Sequence, residues 1–153
     1  MKNSDIINLY FNGEGTDNKK IENYIKENNI INVILTGRFS DNDIQRLYYN
    51  STIVNILISC SDLNSKTLLT NRLYQAVIFG KPILANIGTY QASIVKEYNL
   101  GLVIETFDNL ENIILKYIKN IDINKYNSGR NIFINNVITD NMEFNFRLFS
   151  FVK

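Results

Sequence analysis

Short apolar runs alternate with longer amphipathic ones along most of this chain. The apolar runs are IINLYF (6–11), INVILT (31–36), TIVNILIS (52–59), PILAN (82–86) and GLVIE (101–105); between them lie helical patterns over 17–28, 41–50, 68–79 and 90–97. Runs this short suit buried strands, and the intervening segments have the length and period of single helices. Consecutive strands joined through a helix lie parallel, connected by a right-handed crossover. The pattern therefore predicts an α/β fold with an open parallel sheet of about five strands, helices on both faces, and closing helices near 108–119 and 123–150. In such sheets ligands sit beyond the carboxyl ends of the strands, so the loops that matter are 12–16, 37–41, 60–67 and 86–90.

With 153 residues, 45% of them hydrophobic, the chain can bury one core and is too short for two ordinary ones, so 1–153 is read as a single domain. Its 16 bases and 15 acids give a net charge of +1, which offers no general grip on nucleic acid or anionic lipid. Any charge selectivity must be local, and nucleic acid is not an expected partner. The single cysteine, Cys60, excludes an internal disulfide, and the absence of histidine excludes His-based metal sites and His-dependent triads. A reducing, cytoplasmic setting fits. No apolar run approaches the roughly 20 residues a membrane span needs, so no transmembrane segment is expected.

Three local motifs carry little. The loop Asn12-Gly13-Glu14-Gly15-Thr16 puts glycines where a strand turns into a helix, which either lets backbone approach a phosphate or simply makes the turn. It is not a dinucleotide fingerprint: Asn18 stands where the third glycine belongs, and Thr36-Gly37 where an acid would end the second strand. Gly80-Lys81-Pro82 resembles a Walker ending only superficially, because Pro82 replaces the required Ser or Thr; a helix cap at Gly80 explains it better. The sequon Asn50-Ser51-Thr52 matters only in a secretory pathway, for which nothing argues.

The window from Leu63 to Lys96 says more. It contains no Asp or Glu, but four bases, Lys66, Arg72, Lys81 and Lys96. If a helix starts near Thr67, then Thr67, Asn71 and Gln75 line one ridge, while Leu69, Leu73, Ala76 and Gly80 line a buried face. The ridge would present neutral hydrogen-bonding groups at a helix N-terminus, where free N–H groups and the dipole favour an anion. A diphosphate flanked by hydroxyls suits it; a solvated polar face with no ligand would carry the same residues. Arg38 and Phe39, after Gly37, either hold a base by stacking or are ordinary surface and core.

Taken together, the element order and four stretches resemble the carboxyl-terminal, donor-binding half of GT-B glycosyltransferases of bacterial capsule and cell-surface polysaccharide assembly, a Rossmann-like half-fold. The stretches are the strand ending in Asn12-Gly13-Glu14-Gly15, NVILTGRFSDNDIQRLYYNSTIVNILIS, NRLYQAVIFGKPILANIGTY and VKEYNLGLVIET. The third is the most specific, since the family reads N-K-L-Y/F-E, four residues, then G-K-P and two hydrophobics, and the same spacing holds here.

The resemblance implies transfer of a sugar from a UDP- or GDP-sugar donor to a glycan, with no cofactor and no bound catalytic metal. It places Gly37, Arg38 and Phe39 at the base, Gln75 where the family has a Glu on the ribose hydroxyls, and Thr67 where the commonest subgroup has another Glu near the donor sugar. With the ridge and its flanks, the expected donor-binding set is Gly13, Gly37, Arg38, Phe39, Lys66, Thr67, Thr70, Asn71, Arg72 and Gln75. None of them is assigned a catalytic role. The family's donor half normally opens with a further strand and helix whose Arg and Lys hold the diphosphate, and is joined to an N-terminal acceptor-binding domain; both are missing here. The chain is thus expected to be a fragment, or one subunit, of a two-domain enzyme, inactive alone, and cytoplasmic or peripheral at the inner membrane through the missing domain. The competing expectation is a non-catalytic nucleotide-binding or interaction module that kept the half-fold, which the loss of both acids favours.

Overall fold

The computed structural model describes residues 3–151, so the outermost residues of the 1–153 domain lie outside it. Five strands and seven α-helices follow in the order β1 (Leu9–Asn12), α1 (Asn18–Glu27), β2 (Val33–Gly37), α2 (Ile44–Tyr49), β3 (Val54–Asn55), α3 (Leu63–Thr67), α4 (Asn71–Ile78), β4 (Ile83–Asn86), α5 (Tyr90–Glu97), β5 (Gly101–Ile104), α6 (Leu110–Asn120) and α7 (Ile123–Phe151). A single 3-10 turn, Asp41–Asp43, leads into α2. All strand pairings are parallel, as the alternation requires. Left-handed backbone outside glycine falls on Asn3, Asn29, Asn99 and Asn109, the residue type that tolerates it best.

The strands do not form one sheet. β1 pairs with β2, and β3, β4 and β5 pair in that order, giving a two-stranded and a three-stranded sheet. The edge of β3 that faces away from β4 has no partner strand. The N–H groups of Val54 and Ile56 donate to Pro82 and Leu84 of the β4 side, so the backbone of Asn55 between them faces the other way. Its carbonyl accepts from Arg72 Nη1 at 3.0 Å. A guanidinium, not a strand, therefore covers the outer edge of β3. The long apolar run 52–59 yields only this two-residue strand, because Asn86 takes over beyond it: its side chain accepts from the Ile58 N–H and donates to the Ile58 carbonyl at 2.9 and 3.0 Å.

Helices cover both faces of the three-stranded sheet. On one, Leu73, Ala76 and Val77 of α4 and Val95 of α5 pack with Ile83 and Ala85 of β4 and Phe133 of α7. On the other, Leu84 and Ile104 pack with Ile114 of α6, and Ile7 joins them from the segment before β1. Burying residues such as Leu73 or Ile83 fully is worth about 1.5–3 kcal/mol each. α7 is locked to this core at two points. A Cβ on Gly129 would overlap the Tyr98 carbonyl, so only glycine permits the approach. At the next residue, the guanidinium of Arg130 donates to the carbonyls of Val77 and Ile78, the latter at 2.8 Å, and so caps the end of α4.

Candidate functional site

The helix expected over 68–79 is present as α4 (Asn71–Ile78), but it starts after Thr70, and Thr67 belongs to the separate helix α3, which breaks the ridge assumed from the sequence. Asp62 starts α3, its carboxylate accepting from the Ser65 N–H at 2.9 Å. The hydrogen bonds from Ser65 and Ser61 hold that carboxyl below its usual range. α3 ends at Thr67, Leu68 turns to extended backbone, and α4 begins only at Asn71. Thr67 is thus the last residue of one helix, not the first of the next. Its hydroxyl donates back to the Leu63 carbonyl at 2.9 Å, and Lys66 lies beside it on the same short, exposed helix. Asn71 and Gln75 do share α4, but Gln75 is half-buried and its Oε1 accepts from the Tyr48 hydroxyl at 3.0 Å.

Thr70 occupies the N-cap position of α4 in extended conformation, yet makes no capping hydrogen bond. Its hydroxyl donates instead to Oε1 of Gln91 at 3.1 Å, and Gln91 Nε2 donates to the Ile56 carbonyl at 3.0 Å. Gln91 is 0% exposed. The neighbouring helix start differs: Thr89 caps α5 by accepting from the Ala92 N–H at 3.2 Å. Of these two eight-residue helices that begin beside the carboxyl ends of β3 and β4, α4 alone lacks a side-chain cap, and it has no acid in its first turn. Arg72 stands there too, anchored on Asn55.

The first two loops form a separate group. The Gly13 N–H donates to the Gly37 carbonyl at 2.8 Å, with φ of +134° at Gly13 and +74° at Gly37, so both glycines serve backbone geometry that other residues rarely adopt. Phe39 packs near Gly13 and stays partly exposed. Arg38 pairs with Glu14 at 3.1 Å on the open surface, so its charge is partly neutralised in place. No hydrogen bond or ion pair among the described residues joins this group to Lys66, Thr67, Thr70, Asn71, Arg72 or Gln75. The ten expected residues therefore form two groups at the ends of two sheets.

Sequence reasoning missed Gln91, Asn55 and Tyr48, which hold Thr70, Arg72 and Gln75, and Asn86, which holds Ile58 after β3. For Gln91 a signal existed: with Ile94 and Val95 at i+3 and i+4 it falls on the apolar face of its helix, where a buried amide must find partners. Asn55 and Asn86 gave none, since asparagine is scattered throughout the chain, and neither did Tyr48.

A groove of about 1020 Å³ runs elsewhere, between α5, β5, α6 and the start of α7, lined among others by Lys96, Glu105, Lys116, Tyr117 and Tyr126. It includes none of the ten expected residues. Burial pushes the phenols of Tyr117 and Tyr126 up to about 12. The described residues contain no cluster of three or more His, Cys, Asp or Glu placed to hold a metal ion. None of their helices is long and apolar enough to cross a membrane. Comparison of the chain with protein-family models, curated proteins and solved structures finds no match.

Proposed function

We propose that this chain is the donor-binding part of a glycosyltransferase that moves a sugar from a UDP- or GDP-sugar onto a surface polysaccharide or related glycan, with the diphosphate at the start of α4. The observation that carries the reading is the open start of that helix: Thr70 gives its hydroxyl to Gln91, no acid occupies the first turn, and Arg72 lies alongside. Free N–H groups and the helix dipole at such a point favour a phosphate. One turn on, Gln75 keeps its Nε2 amide free for a ribose hydroxyl, since Tyr48 engages only Oε1. Phe39, partly exposed next to Gly13, offers a stacking surface for a base. These groups bind and orient; none is a general base, and transfer needs an acceptor hydroxyl aligned on the anomeric carbon. The chain by itself is therefore expected to bind donor without turnover.

The alternative is a nucleotide-binding or interaction module without transfer. It is favoured by the inward use of polar groups, above all the Thr67 hydroxyl, which is spent on its own helix.

The test is an amide chemical-shift titration with UDP and GDP. Shifts are expected at 37–39 and 65–75, with a dissociation constant on the order of 0.1–1 mM, equivalent to roughly 4–5.5 kcal/mol. Thr70→Asp should keep the fold, since Asp is a good N-cap, and lower affinity about tenfold or more by setting a carboxylate where the phosphate would lie. No shifts at millimolar nucleotide, or shifts confined to β5, would sink the proposal. A radiolabelled-donor assay with an added acceptor-binding domain then separates the two readings: turnover supports the enzyme, binding without turnover the module.

A further inference from the structure

Beyond Val137, no residue of α7 up to Phe151 is buried, although Met142, Phe144, Phe146, Leu148, Phe149 and Phe151 lie in that stretch. Phe144 is 63% exposed and Phe151 89%. A patch of this kind on a soluble surface marks an interface.

The pattern says which face is used. Tyr126 is buried, Phe133 sits in the core, Val137 packs on its rim, and Phe144 and Phe151 continue the series. Steps of seven and four keep these residues on one side of a helix. Phe144, Leu148 and Phe151 thus extend a face that is already an interface within the chain, whereas Met142, Phe146 and Phe149 lie on other sides of the helix. Asp140 and Arg147 flank Phe144 one turn before and one turn after it. Together with Glu143 and Phe144 they frame a hollow of about 260 Å³, in the i, i+3, i+4, i+7 arrangement that receives a side chain from a facing helix. Arg147 pairs within the helix with Glu143 in the single chain.

We propose that residues 137–151 of α7 form a self-association surface whose occupant is the same helix of a second copy, running antiparallel. The charges select this occupant and direction. About a two-fold axis beside Phe144, Asp140 meets the second copy's Arg147 and Arg147 meets the second copy's Asp140, while Phe144 enters the opposite hollow. Such a contact is isologous and closes at two copies. A parallel pairing in register would set Asp140 against Asp140 and Arg147 against Arg147. The proposal is independent of the nucleotide reading.

Sedimentation velocity on the full chain, at about 1 to 100 µM, tests it. The wild type is expected to dimerise in that range. Phe144→Asp should abolish the dimer without lowering the melting temperature of the monomer, because Phe144 makes no core contact. Asp140→Arg alone and Arg147→Asp alone should each weaken the dimer about tenfold or more by creating like-charge contacts, and the double variant should restore it, because the swap regenerates both pairs. A wild-type chain that stays monomeric at 100 µM, a dimer that survives Phe144→Asp, or a double variant no better than either single one overturns the proposal. So does a monomer that binds neutral phosphatidylcholine vesicles through this helix.

Discussion

Thr70 donates its hydroxyl to Gln91 across 3.1 Å, and so a residue suited to cap α4 is turned away from it. Gln91 is buried and holds the Ile56 carbonyl with its other end. Gln91→Leu would leave that carbonyl unpaired and remove the partner of Thr70, so we expect a loss of about 2–3 kcal/mol, read by urea denaturation. The freed Thr70 hydroxyl should then cap α4 itself, and nucleotide affinity should fall even in conditions where the variant is fully folded. Unchanged stability would show that the amide is dispensable to the packing of α5 on β3.

Arg130 closes the other end of the same helix. Its guanidinium donates to the Ile78 carbonyl and to the Val77 carbonyl, which also accepts from the Gly80 N–H, at the end of the helix where carbonyls run out of internal partners. Arg130→Met keeps most of the side chain's length and removes the donors; a cost of about 1–3 kcal/mol is expected from the charged hydrogen bonds lost. A chemical denaturation curve with unchanged slope and a lower midpoint would bear this out, and an unshifted midpoint would contradict it.

Gly129 is the tightest point between α7 and the rest of the fold. A methyl group there meets the backbone carbonyl of Tyr98, which cannot rotate away as a side chain would. Although alanine is the better helix former by roughly 1 kcal/mol, Gly129→Ala should destabilise by about 1–3 kcal/mol or more, because overpacking against backbone outweighs propensity. Thermal melts decide the sign: a variant more stable than wild type would mean that α7 does not approach α5 this closely.

The strand-helix alternation carried the α/β class and the parallel pairing, because period and length are properties of local sequence. It did not carry the division into two sheets. At the edge where β3 has no partner strand, Arg72 bonds Asn55 seventeen positions away, a contact no periodicity announces. The break between α3 and α4 was hidden for a similar reason: Thr67, Asn71 and Gln75 have helical spacing, and only the extended backbone at Leu68 and Thr70 interrupts it. At the candidate site the residue types were readable, but their partners were not. Gln75 was expected on a ribose diol or a solvated face, and its Oε1 is held by Tyr48 from α2.

The last expectation concerns Tyr126, which is 5% exposed and whose hydroxyl has no hydrogen-bond partner among the described residues. Burial raises its pKa to about 12; Arg130 pulls it back a little, and Tyr117 adds to the rise. The unfolded chain releases this proton near its ordinary value of 10, whereas the folded chain keeps it to about 12. Above pH 10 the unfolded state therefore binds fewer protons, and stability falls as pH rises between those values, by at most about 1.4 kcal/mol per unit for this group. Below pH 10 the effect is absent. Tyr126→Phe should remove that alkaline loss. At neutral pH it should also stabilise by about 1 kcal/mol, because a buried, unpaired hydroxyl is replaced by hydrogen while the ring stays. Urea midpoints from pH 7 to 11 for the wild type, Tyr126→Phe and Tyr117→Phe measure both effects. Tyr117→Phe serves as the comparison, since its phenol is raised by burial alone. If Tyr126→Phe is less stable than wild type at pH 7, the hydroxyl has a partner and the buried end of the groove beside α6 is more polar than its lining suggests.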